Sequence, residues 1–308
     1  MEHRRIGSLE VSVVGLGCNN FGARVDYQGS AAVIRAALDA GVDFFDTADI
    51  YGGGRSEEFI GRALGTRRSE VVLATKFGMR LEGQGSGARP EYVARAAEAS
   101  LRRLGTDRID LYQLHTPDES VPMADTLGAM HELVRAGKVR EIGCSNFTVE
   151  QLQEAAEAVQ PGAAGFASVQ NQYSLLHREP EQGVLTECER HGLAFLPYFP
   201  LASGLLTGKY RRGAPPPEGS RLAGSARYRD QLTDANLSLV EGLSDFAESK
   251  GHSVLELAIA WLLARPVIAS VIAGATRTEQ ARANVGAAGW RLTEADLGEI
   301  DSMVRQVA

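Results

Sequence analysis

Asp46, Tyr51, Lys76 and His115 are the residues of this chain whose types and spacing can do acid–base chemistry together. Three of them close short apolar runs: Asp46 follows Val42-Asp43-Phe44-Phe45, Lys76 follows Val71-Val72-Leu73-Ala74-Thr75, and His115 follows Ile109-Asp110-Leu111-Tyr112-Gln113-Leu114. Tyr51 lies just beyond Asp46, at the start of the glycine-rich stretch Gly52-Gly53-Gly54. If the runs are neighbouring parallel strands, all four side chains meet on one rim. A phenol has an ordinary pKa near ~10, too high for ready proton exchange at neutral pH. A neighbouring Lys76 ammonium favours phenolate and lowers that value, and Asp46 holds the ammonium charged and in place. His115 can hydrogen-bond a substrate oxygen and orient it. Given a hydride donor, such a set reduces a carbonyl. A lone buried Asp–Lys pair, or a lone histidine at a strand end, is more often structural, so the chemistry depends on the elements that gather the four.

Those elements alternate strand and helix along nearly the whole chain. Short β-rich runs fall at Val13–Cys18, Asp43–Ala48, Val71–Lys76, Ile109–His115, Val139–Ser145, Ala167–Gln172, Ala194–Tyr198 and Ile268–Ala273. Between them, helical periodicity spans Ala31–Ala40, Glu57–Leu64, Glu91–Leu104 and Ala124–Ala136, each stopped by a glycine. Thr148-Val149-Glu150-Gln151 and Ser253-Val254-Leu255-Glu256 have the form of capping boxes that open further helices. Eight strand-then-helix units predict a closed α/β (β/α)8 TIM barrel, one domain over residues 1–308, rather than an open doubly wound sheet. A barrel carries its chemistry at the C-terminal ends of its strands, where Asp46, Lys76 and His115 sit. Residues 3–12 read as a hairpin turning at Gly7-Ser8, placed to plug the barrel bottom. Arg211–Asp230, with Pro215-Pro216-Pro217, is a long irregular top-face loop with the character of a lid.

Composition narrows the partners. A net charge of −7 argues against nucleic acid or an anionic membrane as the main partner. No apolar run approaches the roughly 20 residues that span a bilayer. The start of the chain lacks a signal-peptide pattern, which gives the expectation of a cytoplasmic protein. Cys18, Cys144 and Cys188 show no paired or metal-ligand spacing, and neither do the histidines, so neither a disulfide framework nor a metal is expected. Gly15-Leu16-Gly17-Cys18-Asn19-Asn20 lacks the third glycine of a dinucleotide fingerprint, and Gly52-Gly53-Gly54-Arg55-Ser56 lacks the lysine of a P-loop.

Several motifs in order resemble the aldo-keto reductases: Phe45-Asp46-Thr47-Ala48-Asp49-Ile50-Tyr51-Gly52, Thr75-Lys76-Phe77-Gly78, Asp110-Leu111-Tyr112-Gln113-Leu114-His115, Gly143-Cys144-Ser145-Asn146-Phe147, Gln170-Asn171-Gln172-Tyr173-Ser174, Gly204-Leu205-Leu206-Thr207-Gly208-Lys209-Tyr210 and Ile272-Ala273-Gly274-Ala275-Thr276-Arg277. The resemblance covers essentially the whole chain. It implies NADPH lying across the barrel top, reversible reduction of aldehydes or ketones, and Asp46, Tyr51, Lys76 and His115 as catalytic residues with Tyr51 the general acid. It implies that Ser145, Asn146 and Gln170 hold the nicotinamide carboxamide and that Tyr198 stacks on its ring. The Leu201–Lys209 loop, with Gly204 and Leu206, lies over the pyrophosphate, and Lys209 is the charge partner. Gly274, Thr276, Arg277, Gln280 and Asn284 mark the adenosine end, where a guanidinium suits a 2′-phosphate and favours NADPH over NADH. Phe21, Tyr27, Phe77 and Phe147 are the expected apolar walls of a pocket for a small carbonyl substrate. Pro197-Tyr198-Phe199-Pro200 departs from the family's common Pro-Tyr-Ser-Pro, and Cys18-Asn19-Asn20-Phe21 replaces its small residues and tryptophan. Two other readings stay open: an NADPH-sensing regulatory subunit like the potassium-channel β-subunits of this fold, and a barrel isomerase or hydrolase that binds no nicotinamide. Oligomeric state is left open.

Overall fold

The computed structural model describes residues 1–224 and 230–305. A hairpin comes first: β1 (His3–Ile6) pairs antiparallel with β2 (Leu9–Ser12) around the Gly7-Ser8 turn. Then follow β3 (Val14–Gly17), β4 (Phe44–Asp46), β5 (Val72–Phe77), β6 (Ile109–Leu114), β7 (Val139–Ser145), β8 (Phe166–Gln170), β9 (Ala194–Phe195) and β10 (Val271–Gly274). These form one parallel sheet in the order β10-β3-β4-β5-β6-β7-β8-β9. The two edge strands meet: the Phe195 N–H donates to Val267 O at 2.8 Å, the Ala269 N–H to Phe195 O at 3.2 Å and the Ile272 N–H to Pro197 O at 3.3 Å. The sheet is thereby closed into a barrel. With helices outside and side chains inside, strands such as Ile109–Leu114 are buried along their whole length, as their unbroken apolar character requires.

Between the strands lie α1 (Tyr27–Asp39), α2 (Arg55–Leu64), α3 (Pro90–Leu104), α4 (Met123–Arg135), α5 (Val149–Ala158) and α6 (Val184–His191), with further helices at Asp234–Ser249, Val254–Leu263, Thr278–Gly286 and Glu294–Arg305. α1 begins four residues earlier than its apolar periodicity suggests, because the Asp26 carboxylate accepts the Gly29 N–H and caps it. Both capping boxes form: Thr148 with Gln151, and Ser253 with Glu256. Ile6, Leu9 and Val11 of the hairpin share an apolar cluster with Phe44, Ala74, Leu111, Leu196 and Ala269. The hairpin therefore seals the barrel end opposite the catalytic candidates. Of the irregular Arg211–Asp230 stretch, residues 225–229 fall outside the described part, and Arg221–Gly224 is a single helical turn.

Candidate active site

The C-terminal strand ends surround a cleft of about 840 Å³. Asp46, Tyr51 and His115 line it, and Lys76 reaches the same point from below, fully buried. Lys76 Nζ donates to Asp46 Oδ2 at 2.7 Å and to the Thr47 carbonyl at 2.9 Å. The other oxygen of Asp46 accepts from Gln113 at 3.2 Å and Gln170 at 2.9 Å. Three strands thus fix one carboxylate, and the carboxylate fixes the lysine. Lys76 Nζ stands 5.3 Å from the centroid of the Tyr51 ring, whose edge meets the His115 ring at 5.8 Å between centroids.

Tyr51 is placed by a tight turn. Its N–H donates to Ala48 O at 3.1 Å, and Gly53 N–H donates to Ile50 O at 3.0 Å. Gly52 has φ of 60°, and a Cβ there would come within 2.9 Å of Phe21 O, so the turn needs glycine for both its conformation and its close approach.

Burial sets the protonation states. It pushes the Tyr51 phenol up; Lys76 opposes that shift and Asp46 adds to it. The expectation that Lys76 brings the phenol below its ordinary value is corrected, because desolvation of the phenolate outweighs the ammonium. Burial lowers the Lys76 ammonium, but Asp46 and Tyr51 more than offset it and the net shift is upward. Burial, with Lys76 adding to it, pushes the His115 imidazole down to about 3, so it is neutral at physiological pH. Its Nδ1 is buried without a hydrogen-bond partner.

Along the cleft, Asn146 joins four strand ends. Its N–H donates to Gln170 O at 3.1 Å and its amide donates to His115 O at 2.9 Å, while its Oδ1 accepts the Tyr198 hydroxyl at 2.8 Å. Its φ of 63° is a conformation that asparagine tolerates better than most residues. Ser145, Asn146, Gln170, Tyr198, Leu201, Gly204, Lys209, Gly274, Thr276, Arg277, Gln280 and Asn284 all line the cleft. Thr276 donates to Gln280 Oε1 through both its N–H and its hydroxyl, at 2.8 and 3.0 Å, which fixes the turn before Thr278–Gly286. The loop from 199 to 204 bends over the cleft through positive φ at Phe199, Ala202 and Ser203.

Leu206 does not share this surface: it is fully buried beneath the loop. The expected apolar walls are corrected too. Phe21 and Phe77 are fully buried, Phe77 stacks on Tyr112 at 4.6 Å, and Phe147 packs edge-on against Phe166. Tyr27 lies at the start of α1 against Phe59 and Arg62. None of the four lines the main cleft; Ile50, Met79 and Thr116 do so beside Tyr51 and His115. Aromatic type alone does not say which face of a strand or turn a ring takes.

Among the described residues, four cations line the cleft: Arg24, Lys209, Arg221 and Arg277. Lys209 is pushed down by burial and then by the three guanidiniums, so these charges converge. Among the described lining residues Asp46 is the one acidic residue, and Lys76 already holds it. Arg24 and Arg221 were not legible as site residues, nor was Gln113. Arg24 donates to Gly219 O at 3.0 Å and Arg221 to Asn20 Oδ1 at 2.9 Å, so two segments nearly 200 residues apart meet across the cleft.

The Aldo/keto reductase family matches residues 13–305. The chain belongs to that family. This aldo-keto reductase is 35% identical to the NADP(+) aldo-keto reductase yakc of Schizosaccharomyces pombe, over 96% of this chain and 89% of that one. It is equally similar, at 35%, to a probable voltage-gated potassium channel subunit beta of Arabidopsis thaliana, over 93% and 91%. Among solved structures, a glycerol dehydrogenase of Gluconobacter oxydans matches with a TM-score of 0.86 and 29% identity, covering 99% of this chain and 96% of that one. The aldo-keto reductase is thus an oxidoreductase of TIM-barrel type. Among its described residues, no helix is long and apolar enough to cross a membrane.

Proposed function

We propose that this aldo-keto reductase uses NADPH to reduce small aldehydes or ketones to alcohols, reversibly, with Tyr51 as the proton donor. What supports the reading is one cleft that gathers Asp46, Tyr51 and His115 over the buried Lys76 at one place and converging cations along the rest. The cations suit a ligand with several phosphate charges, and the one carboxylate among the described lining residues, Asp46, is already paired with Lys76.

NADPH, when bound, supplies the hydride. The protein's part is binding, orientation and the proton. Ser145, Asn146 and Gln170 are suited to a carboxamide and Tyr198 to a flat ring. Leu201, Gly204 and Lys209 are suited to a pyrophosphate. Gly274, Thr276, Gln280 and Asn284 suit the adenosine end, where Arg277 takes the 2′-phosphate. The neutral His115 offers a hydrogen bond to the carbonyl oxygen, and being uncharged it leaves the proton to Tyr51. Tyr51 carries that proton at neutral pH, and Lys76 stabilises the phenolate left behind. Asp46 keeps Lys76 charged through the reaction. Ile50, Met79 and Thr116 line the cleft around the position this gives the substrate.

The similarity to a potassium-channel subunit supports a second reading, an NADPH sensor with slow turnover. The two separate on rate. Fluorescence titration with NADPH, then NADPH oxidation against a panel of small aldehydes and ketones, should give tight binding and multiple turnovers. Binding without turnover would favour the sensor, and no binding would sink both readings.

A further inference from the structure

Beneath the turn that carries Tyr51 lies a second polar cluster, sealed from the cleft. Asp49, from the segment between β4 and that turn, and Glu57, from α2, are both buried to 1% or less. The polar and charged groups that face Asp49 are the Ile50 N–H, which donates to it and favours its charged form, Glu57 on α2, Arg103 and Tyr92 on α3, Lys76 on β5 and Tyr112 on β6. Two carboxyls therefore share one guanidinium, and Glu57 has taken it. Glu57 accepts Arg103 Nε at 2.6 Å on one oxygen and the Thr75 hydroxyl at 2.6 Å on the other. Lys76 is committed to Asp46 and the Thr47 carbonyl. Asp49 is left with an oxygen, Oδ1, that has no partner, and the Tyr112 hydroxyl nearby has none either.

A buried carboxylate without a cation is costly, whereas a buried carboxylic acid is tolerable. The Asp49 N–H is pinned to Lys76 O at 3.0 Å, and two residues later the same backbone presents Tyr51. Arg103 packs under the far end of the turn, where a Cβ on Gly54 would come within 2.9 Å of its Cδ. Resting on the proposed role of Tyr51, we infer that Asp49 is a positioning residue: as the neutral acid it lets the 49–54 turn sit closed over the cluster and aims Tyr51 into the cleft, and its ionisation loosens that turn. Burial, then the Glu57 charge, raises Asp49 to about 7, which places the change in the physiological range.

Asp49 acts on stability and on turnover in two separate pH windows. The folded chain keeps the Asp49 proton where the unfolded chain, with an ordinary carboxyl near ~3.9, has lost it. Stability from this group is full below that value and is lost as pH rises toward about 7. The active arrangement is a property of the folded protein alone, so kcat falls above about 7.

Asp49→Asn keeps a neutral side chain of the same shape at every pH. The wild-type protein should lose kcat several-fold between about pH 6 and 8, with KM for NADPH little changed, and D49N should hold its kcat through that range. D49N should also gain thermal stability over wild type progressively from about pH 4 to 7 and no further beyond. Amide exchange, corrected for its intrinsic pH dependence, should show the Tyr51 and Gly53 N–H groups losing protection above about pH 7 in wild type only. Should D49N fail to fold, Glu57→Gln, which removes the charge raising Asp49, should move the kcat limb to lower pH. An identical kcat limb in D49N, or an unmoved limb in E57Q, would overturn the inference. So would an unchanged exchange profile. A protein that turns over no carbonyl but shows the exchange change would leave Asp49 standing and sink the proposed reaction instead.

Discussion

Asp46 shows how little freedom the cluster around Tyr51 has. Its carboxylate accepts from Lys76, Gln113 and Gln170, side chains of β5, β6 and β8, so moving any one strand end disturbs the lysine beside Tyr51. Lys76 is buried with its partner, and losing that partner would leave an uncompensated charge in the barrel. Gln113 was illegible in the sequence because strands buried on both faces give no alternation to mark the inward side chain. The convergence of Asp46, Tyr51, Lys76 and His115 was legible because residue type, strand end and spacing agree. At the other end of the cleft, Arg277 tests cofactor choice. If it meets a 2′-phosphate through charge-assisted bonds of about 1.5–3 kcal/mol, Arg277→Ala should weaken NADPH roughly 10- to 100-fold and leave NADH nearly unchanged. Equal losses for both, by fluorescence titration, would remove Arg277 from that role.

At the scale of elements, the turn between β4 and α2 is held by contacts that no local pattern announces. α2 and α3 pack so closely that a Cβ on Gly61 would stand 2.2 Å from Leu104 O. Gly61 lies inside a helix, where glycine is unfavourable, so the close approach is the reason for it. Gly61→Ala should therefore destabilise the fold by about 1–3 kcal/mol in chemical denaturation, opposite to the gain that helix propensity alone predicts. An unchanged or raised midpoint would mean the two helices separate freely. The same helix pair carries Glu57 and Arg103, so looser packing there acts on the Asp49 cluster as well. The strands were read to within a few residues from their apolar runs. The helices Asp234–Ser249 and Glu294–Arg305 were not singled out, since their polar faces dilute the periodicity. Phe21, Phe77 and Phe147 were assigned to the wrong surface for a related reason: the direction of a ring at a strand end depends on tertiary packing.

The whole molecule sorts its tasks to opposite ends. The hairpin seals one end of the barrel with Ile6, Leu9 and Val11, and the other end gathers every group of the proposed reaction. Arg24 with Gly219, and Arg221 with Asn20, join the first and last thirds of the chain across the cleft, contacts that only the closed fold creates. Tyr51 is proposed to supply the proton in a cleft that binds NADPH independently of that hydroxyl. Tyr51→Phe removes one oxygen and keeps the ring. Its NADPH oxidation with the best carbonyl substrate should fall by a factor on the order of 10²–10⁴, while its NADPH dissociation constant stays within a few-fold of wild type. Undiminished turnover in that variant would mean that another group supplies the proton.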